Sequence, residues 1–72
     1  MKLIEPTDAQ YFEHIQKTSA SLRECFKISE LTKHIPSLIN LQAKANNEYR
    51  LEAVANLMRE YNYLVEVHSE PQ

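Results

Sequence analysis

Apolar residues recur at helical spacing along almost the whole chain. In the N-terminal third, Tyr11, Phe12, Ile15, Leu22, Cys25 and Phe26 fall on one side at that spacing. Thr7-Asp8-Ala9-Gln10 fits a capping box that would open this helix, with Asp8 favoured by the positive end of the helix dipole. The pattern predicts a helix over residues 7–26. Thr18-Ser19-Ala20-Ser21 interrupts the large residues; it is either a close-approach surface for another helix or an exposed turn.

A short connector helix is expected over residues 28–35, with Ser29 as its cap and Pro36 as its end, because the residue before a proline is driven out of the α region. From Ser37 to Glu70 there is neither glycine nor proline. This run predicts one long helix over residues 36–66, ~46 Å at ~1.5 Å per residue. A compact domain of this length has a radius of gyration of only ~11 Å, so the rod would outrun its own domain. Residues 1–6 are read as an N-terminal arm and 67–72 as a tail. Within the run, residues 62–68 have a second reading: Tyr63-Leu64-Val65-Glu66-Val67 is strand-like and could pair with Lys2-Leu3-Ile4.

Placed on one wheel, the long helix shows two faces. Ile39, Ala43, Leu51, Val54, Leu57, Met58, Tyr61, Leu64 and Val65 form a core stripe, against which Tyr11, Ile15, Leu22 and Phe26 are expected to pack. Leu38, Leu41, Ala45, Tyr49, Asn56, Tyr63 and Val67 form a weaker second stripe. A helix with two semi-apolar faces packs on its own chain with one and on a partner with the other. Leu38, Leu41, Ala45, Tyr49, Asn56 and Tyr63 are therefore the candidate partner-binding residues. Tyr49 and Tyr63 bring interfacial area and a polar tip, or serve as peripheral packing. Asn47 and Arg50 interrupt the core stripe. Either both reach water there, or they form a polar layer that fixes the register of a helix–helix interface.

Composition agrees with an all-α chain. The 72 residues contain no glycine, which serves most of the tight turns an all-β domain needs, and are rich in Leu, Ala, Glu, Lys and Gln. The fold expected is a single small helical domain, a helical hairpin or three-helix arrangement with one long C-terminal helix, paired as a homodimer. Chains this short bury only ~60% of their unfolded surface, which makes a second copy a natural source of stability. The single cysteine, Cys25, excludes an intramolecular disulfide and suits a reducing cytoplasm. No apolar run approaches the ~20 residues of a membrane span.

The net charge of −2 is unevenly spread: residues 1–22 carry −1, residues 23–50 carry +2 and residues 51–72 carry −3. The basic middle supports one alternative. Residues 28–50 loosely resemble a helix-turn-helix, with Lys33, Ser37, Asn40, Lys44 and Asn47 placed to meet a major groove. Against it stand the modest charge, the missing turn glycine and a recognition helix that is too long.

Catalytic chemistry has little support. Cys25 with His14 or His34 would make a thiolate–imidazole pair, but no tight turn presents the sulfur, and a free Cys in an apolar stripe is commonly core. Glu30 and His34 share a helical face, yet zinc sites need three or four ligands. No phosphate-binding, dinucleotide-binding or calcium-binding loop is present. The sequence reading is a non-enzymatic cytoplasmic regulator or adaptor without metal or cofactor, acting through helix-mediated contact with itself and another protein. DNA binding is the alternative.

Overall fold

The computed structural model describes residues 7–69, which form four helices and no strand. The N-terminal arm, and the strand suggested for Lys2-Leu3-Ile4, lie outside the described residues, as does the tail beyond Ser69. No helix among the described residues is long and apolar enough to cross a membrane.

Helix α1 spans Asp8–Arg23. Its start is the expected capping box: the Gln10 N–H donates to Thr7 Oγ1 at 3.2 Å and the Thr7 N–H to Gln10 Oε1 at 3.1 Å. Its end comes earlier than residue 26. The N–H groups of Glu24 and Cys25 reach back only three residues, to Ser21 and Leu22, and tighten the last turn. Tyr11 and Leu22 are buried as expected and Ile15 half-buried. Phe26 lies past the helix end and is 76% exposed, so it does not join the core. The small-residue stretch is split between its two readings. Thr18 is buried and Ser19 bonds to the last helix, while Ala20 and Ser21 face water.

The connector is α2, Ile28–Thr32, capped at Lys27 and not at Ser29. Glu30 reaches back to accept the Phe26 N–H at 2.9 Å. After the turn at Lys33-His34, α3 spans Ile35–Ala43 with Pro36 in its first turn, where a missing N–H costs nothing.

The single helix expected over residues 36–66 is two helices. α3 stops at Ala43, and α4 spans Glu48–Ser69, 22 residues and ~33 Å. The local reason is Asn46-Asn47, since asparagine is a weak helix former and a strong cap. Asn47 Oδ1 accepts the Arg50 N–H at 2.9 Å, and the Asn47 carbonyl accepts the Leu51 N–H at 2.9 Å. The tertiary reason is larger. Reversing the chain brings Leu38 and Leu41, 3% and 2% exposed, onto the same core as Val54 and Leu57. Burying two leucines is worth ~1.5–3 kcal/mol each, which exceeds the cost of leaving one extra pair of helix ends capped or hydrated. Asn62 to His68 continue α4, so the strand reading of that segment does not hold.

Four contacts define the topology. Asp8 meets Arg50 near the starts of α1 and α4, and Arg23 meets Glu60 farther along both, so these helices run parallel. The Tyr11 hydroxyl donates to the Leu41 carbonyl at 2.7 Å and Arg50 Nη1 to the Lys44 carbonyl at 3.1 Å. The far end of α3 thus lies beside the starts of α1 and α4. The chain goes up in α1, down through α2 and α3, and up in α4. The core is Tyr11, Leu22, Cys25, Leu31, Leu38, Leu41, Val54 and Leu57, with Met58, Tyr61, Leu64 and Val65 packed partly against it.

Candidate interaction surfaces

The break at residues 44–47 divides the candidate partner-binding residues into two groups. Leu38 and Leu41 are core residues and Ala45 is half-buried, so they are not offered to a partner. The wheel that put them on an outer face assumed a continuous helix, and the bend turns that face inward. Ile39, Ala43 and Leu51 move the other way. They were assigned to the core stripe, but Ile39 is 61% and Leu51 51% exposed, and Ala43 is exposed as well.

The candidate partner-binding residues after the break keep their places. Tyr49, Asn56 and Tyr63 follow one another at seven-residue intervals along α4, and all three are exposed, Tyr49 by 74% and Tyr63 by 65%. Val67 continues the line, partly exposed.

An open groove of about 340 Å³ runs beside that line, between α1 and α4. Ile15, Ala53 and Leu57 supply its apolar lining, and Ser19, Arg23, Asn56 and Glu60 its polar one. Asn56 belongs to both the line and the groove. The polar residues are held in place: Ser19 Oγ donates to Glu60 Oε1 and Arg23 Nε donates to Glu60 Oε2 at 2.7 Å. Burial pushes the Glu60 carboxyl up, but the hydrogen bonds from Ser19 and Arg23 and the Arg23 charge outweigh it and hold it below its ordinary value. The groove was missed in the sequence because it needs two helices to define it. The small side chain of Ser19, in the stretch flagged for close helix approach, was its one local sign.

Arg50 does not reach water: Asn47 and Arg50 form a polar cluster between the starts of α1 and α4 of the same chain. Arg50 is 5% exposed. Its Nε donates to Asp8 Oδ1 at 2.8 Å and its guanidinium carbon lies 4.7 Å from the centre of the Tyr11 ring. Asn47 Nδ2 also donates to Asp8, at 3.3 Å, while its Oδ1 caps α4. This cluster ties the start of α1 to the α3–α4 bend. Burial raises the Tyr11 hydroxyl pKa, with the Arg50 charge opposing it.

Of the residues placed for nucleic acid, Lys33, Asn40 and Lys44 are exposed, Ser37 is half-buried, and Asn47 is committed to the cap and to Asp8. The outer face of α3 contains no charged residue between Ile35 and Ala43. Lys33 and Lys44 stand just beyond its two ends.

Cys25 is buried and its thiol donates to the Ser21 carbonyl at 3.3 Å. Burial, then the nearby charges of Glu30 and Glu24, push its pKa up, which is the opposite of what a nucleophile needs. Among the described residues no three His, Cys, Asp or Glu side chains gather as a metal site would require. No protein-family model, curated protein or solved structure matches the chain.

Proposed function

We propose that this chain is a small non-enzymatic regulatory or adaptor protein of the cytoplasm that binds another protein through the outer line of α4. The observation that carries the reading is the Tyr49–Asn56–Tyr63 line lying beside the α1–α4 groove. Tyrosine contributes large contact area with few rotors to freeze, and a partner helix laid along α4 meets one such residue every two turns. The groove accepts an apolar side chain between Ile15, Ala53 and Leu57, and Ser19, Arg23 and Glu60 offer hydrogen bonds at its edge. The test is affinity capture from the native host with the wild-type chain and with Tyr49→Ser/Tyr63→Ser. A protein retained by the first and lost by the second, at unchanged melting temperature, supports the reading. Equal capture by both removes the α4 line from it.

One observation favours the helix-turn-helix reading over residues 28–50: α3 is nine residues long, so the objection of an overlong recognition helix disappears. Phosphate contacts would then fall to Lys33 and Lys44, since α3 itself is uncharged. Salt-dependent binding to duplex DNA, lost in Lys33→Ala/Lys44→Ala, would establish it. An absence of binding at low salt would dismiss it.

A further inference from the structure

The bend between α3 and α4 is set by Asn46-Asn47 and by core burial, and it contains no residue that forbids a straight helix. Lys44, Ala45, Asn46 and Asn47 include neither glycine nor proline, and no described residue has positive φ. Lys44 itself sits in the bridge region next to the helical one, at φ −95° and ψ 4°. The bend at Glu24–Lys27, twenty positions earlier, is anchored differently, through the core. There Cys25 is buried in the core and Glu30 holds the Phe26 N–H. At the second bend Ala45 is only half-buried and Asn46 is exposed. Its side-chain bonds run through two residues: Asn47 caps the Arg50 N–H and donates to Asp8, and Arg50 Nη1 donates to the Lys44 carbonyl. The bonds of Glu60 to Ser19 and Arg23, and of Arg50 to Asp8, instead join α4 to α1.

We propose that this bend is a hinge, and that two copies of the chain exchange their α4 helices by straightening it. Once straight, residues 35–69 form one helix ~52 Å long. On that helix Leu38, Leu41 and Ala45 point about 140–200° away from Val54, at about 100° per residue. The two halves of the core then face opposite ways, and α1 of the same chain covers only one of them. A second copy is the occupant that fits the other, because its α4 carries the same Arg50, Val54, Leu57 and Glu60 that α1 and α3 already match. Every contact between α4 and α1 is remade between chains. What is lost is the Asn47 cap, the turn bond from the Ala45 N–H to the Gln42 carbonyl and the Arg50–Lys44 bond. What is gained is the pairing of helix-end N–H and C=O groups that the bend leaves without intrahelical partners. Short connections of this kind are where exchange of identical elements occurs. The inference is independent of what binds the outer line of α4.

The experiment is the solution mass of Asn46→Ala/Asn47→Ala across a concentration series, beside wild type and a chain with two glycines inserted between Ala45 and Asn46. The alanine pair removes the cap and favours helix through the bend. It is expected to reach half-dimer at a concentration at least tenfold below wild type, while the glycine chain stays monomeric. Mixing Asp8→Arg with Arg50→Asp separates exchange from simple docking. Each alone places like charges together, and exchange between the two restores opposite charges in both halves, so a heterodimer is expected. Should these variants not fold, spin labels at Asn40→Cys and Asn62→Cys in a Cys25→Ala background, diluted with unlabelled chain and refolded at high concentration, read ~33 Å for the straight helix. An alanine variant that stays monomeric, dimers that do not pair across the charge reversals, or a single short label distance would each overturn the hinge.

Discussion

Arg50 covers the ring of Tyr11, with 4.7 Å between the guanidinium carbon and the ring centre, and this contact joins the first turn of α1 to the first turn of α4. The same guanidinium reaches Asp8 and the Lys44 carbonyl. Its side chain is 7% exposed and that of Asp8 55%, so the two ends of the ion pair are unequal.

That inequality predicts unequal costs. Arg50→Ala uncovers the Tyr11 ring and strips a donor from the Lys44 carbonyl, and should cost about 2–3 kcal/mol. Asp8→Asn leaves a half-exposed site able to accept the same hydrogen bond, and should cost about 1 kcal/mol or less. Urea denaturation of both variants measures the difference. Equal losses would mean that the ion pair, not the buried stacking, carries the contact.

The apolar face of α4 makes a second prediction. Val54→Asp places a charge at a site 3% exposed and should abolish cooperative folding. Met58 is half-buried, and Met58→Asp should lower stability without unfolding the chain. Along α1, Leu22→Ala should cost about 3–5 kcal/mol and Phe26→Ala within about 0.5 kcal/mol, although the two residues fall in one stripe of the sequence. Thermal melts of the four variants rank them.

The contrast between Leu22 and Phe26 marks how far the sequence is legible. The capping box at Thr7 and Gln10, and the Val54–Leu57 stripe, are visible because each depends on neighbours a few positions away. The bend at Lys44–Asn47 depends on Leu38 and Leu41 reaching Tyr11 and Val54 across the fold, and Asn46-Asn47 was its only local sign. The phase errors at Ile39 and Leu41 follow from that one miss. A wheel carried through the bend put Ile39 inside and Leu41 outside, the reverse of what the reversed chain does. Tyr49, Asn56 and Tyr63 lie beyond the bend and share a helix with Val54, so their outward placement survived. The groove needed α1 and α4 side by side, which no single stretch of sequence contains.

Cys25 gives a prediction in time rather than energy. Its burial and raised pKa keep it a protonated thiol at neutral pH, out of reach of reagents. Alkylation by iodoacetamide should be far slower in the native protein than in urea, and its native rate should follow the population of opened chains. A rapid native reaction would revive the thiol as a reactive group.

The last prediction concerns acid. The Glu60 carboxyl is held below its ordinary value of 4.5 in the folded chain, because Ser19 and Arg23 donate to it more effectively than burial penalises it. A carboxyl with a depressed folded pKa binds more protons in the unfolded state, so stability rises with pH through its titration range. The contribution is fully present above about pH 4.5 and fades as pH falls through the lower folded value. Arg23 is 69% exposed, so solvent screens the charge and the increment is small. Glu60→Gln should therefore melt slightly below wild type at pH 7, with the gap narrowing as pH falls from about 4.5 toward 3. The melting temperatures of both chains across that interval test this directly. A gap that stays constant down to pH 3 would show that Glu60 contributes by packing against α1 and not by its charge.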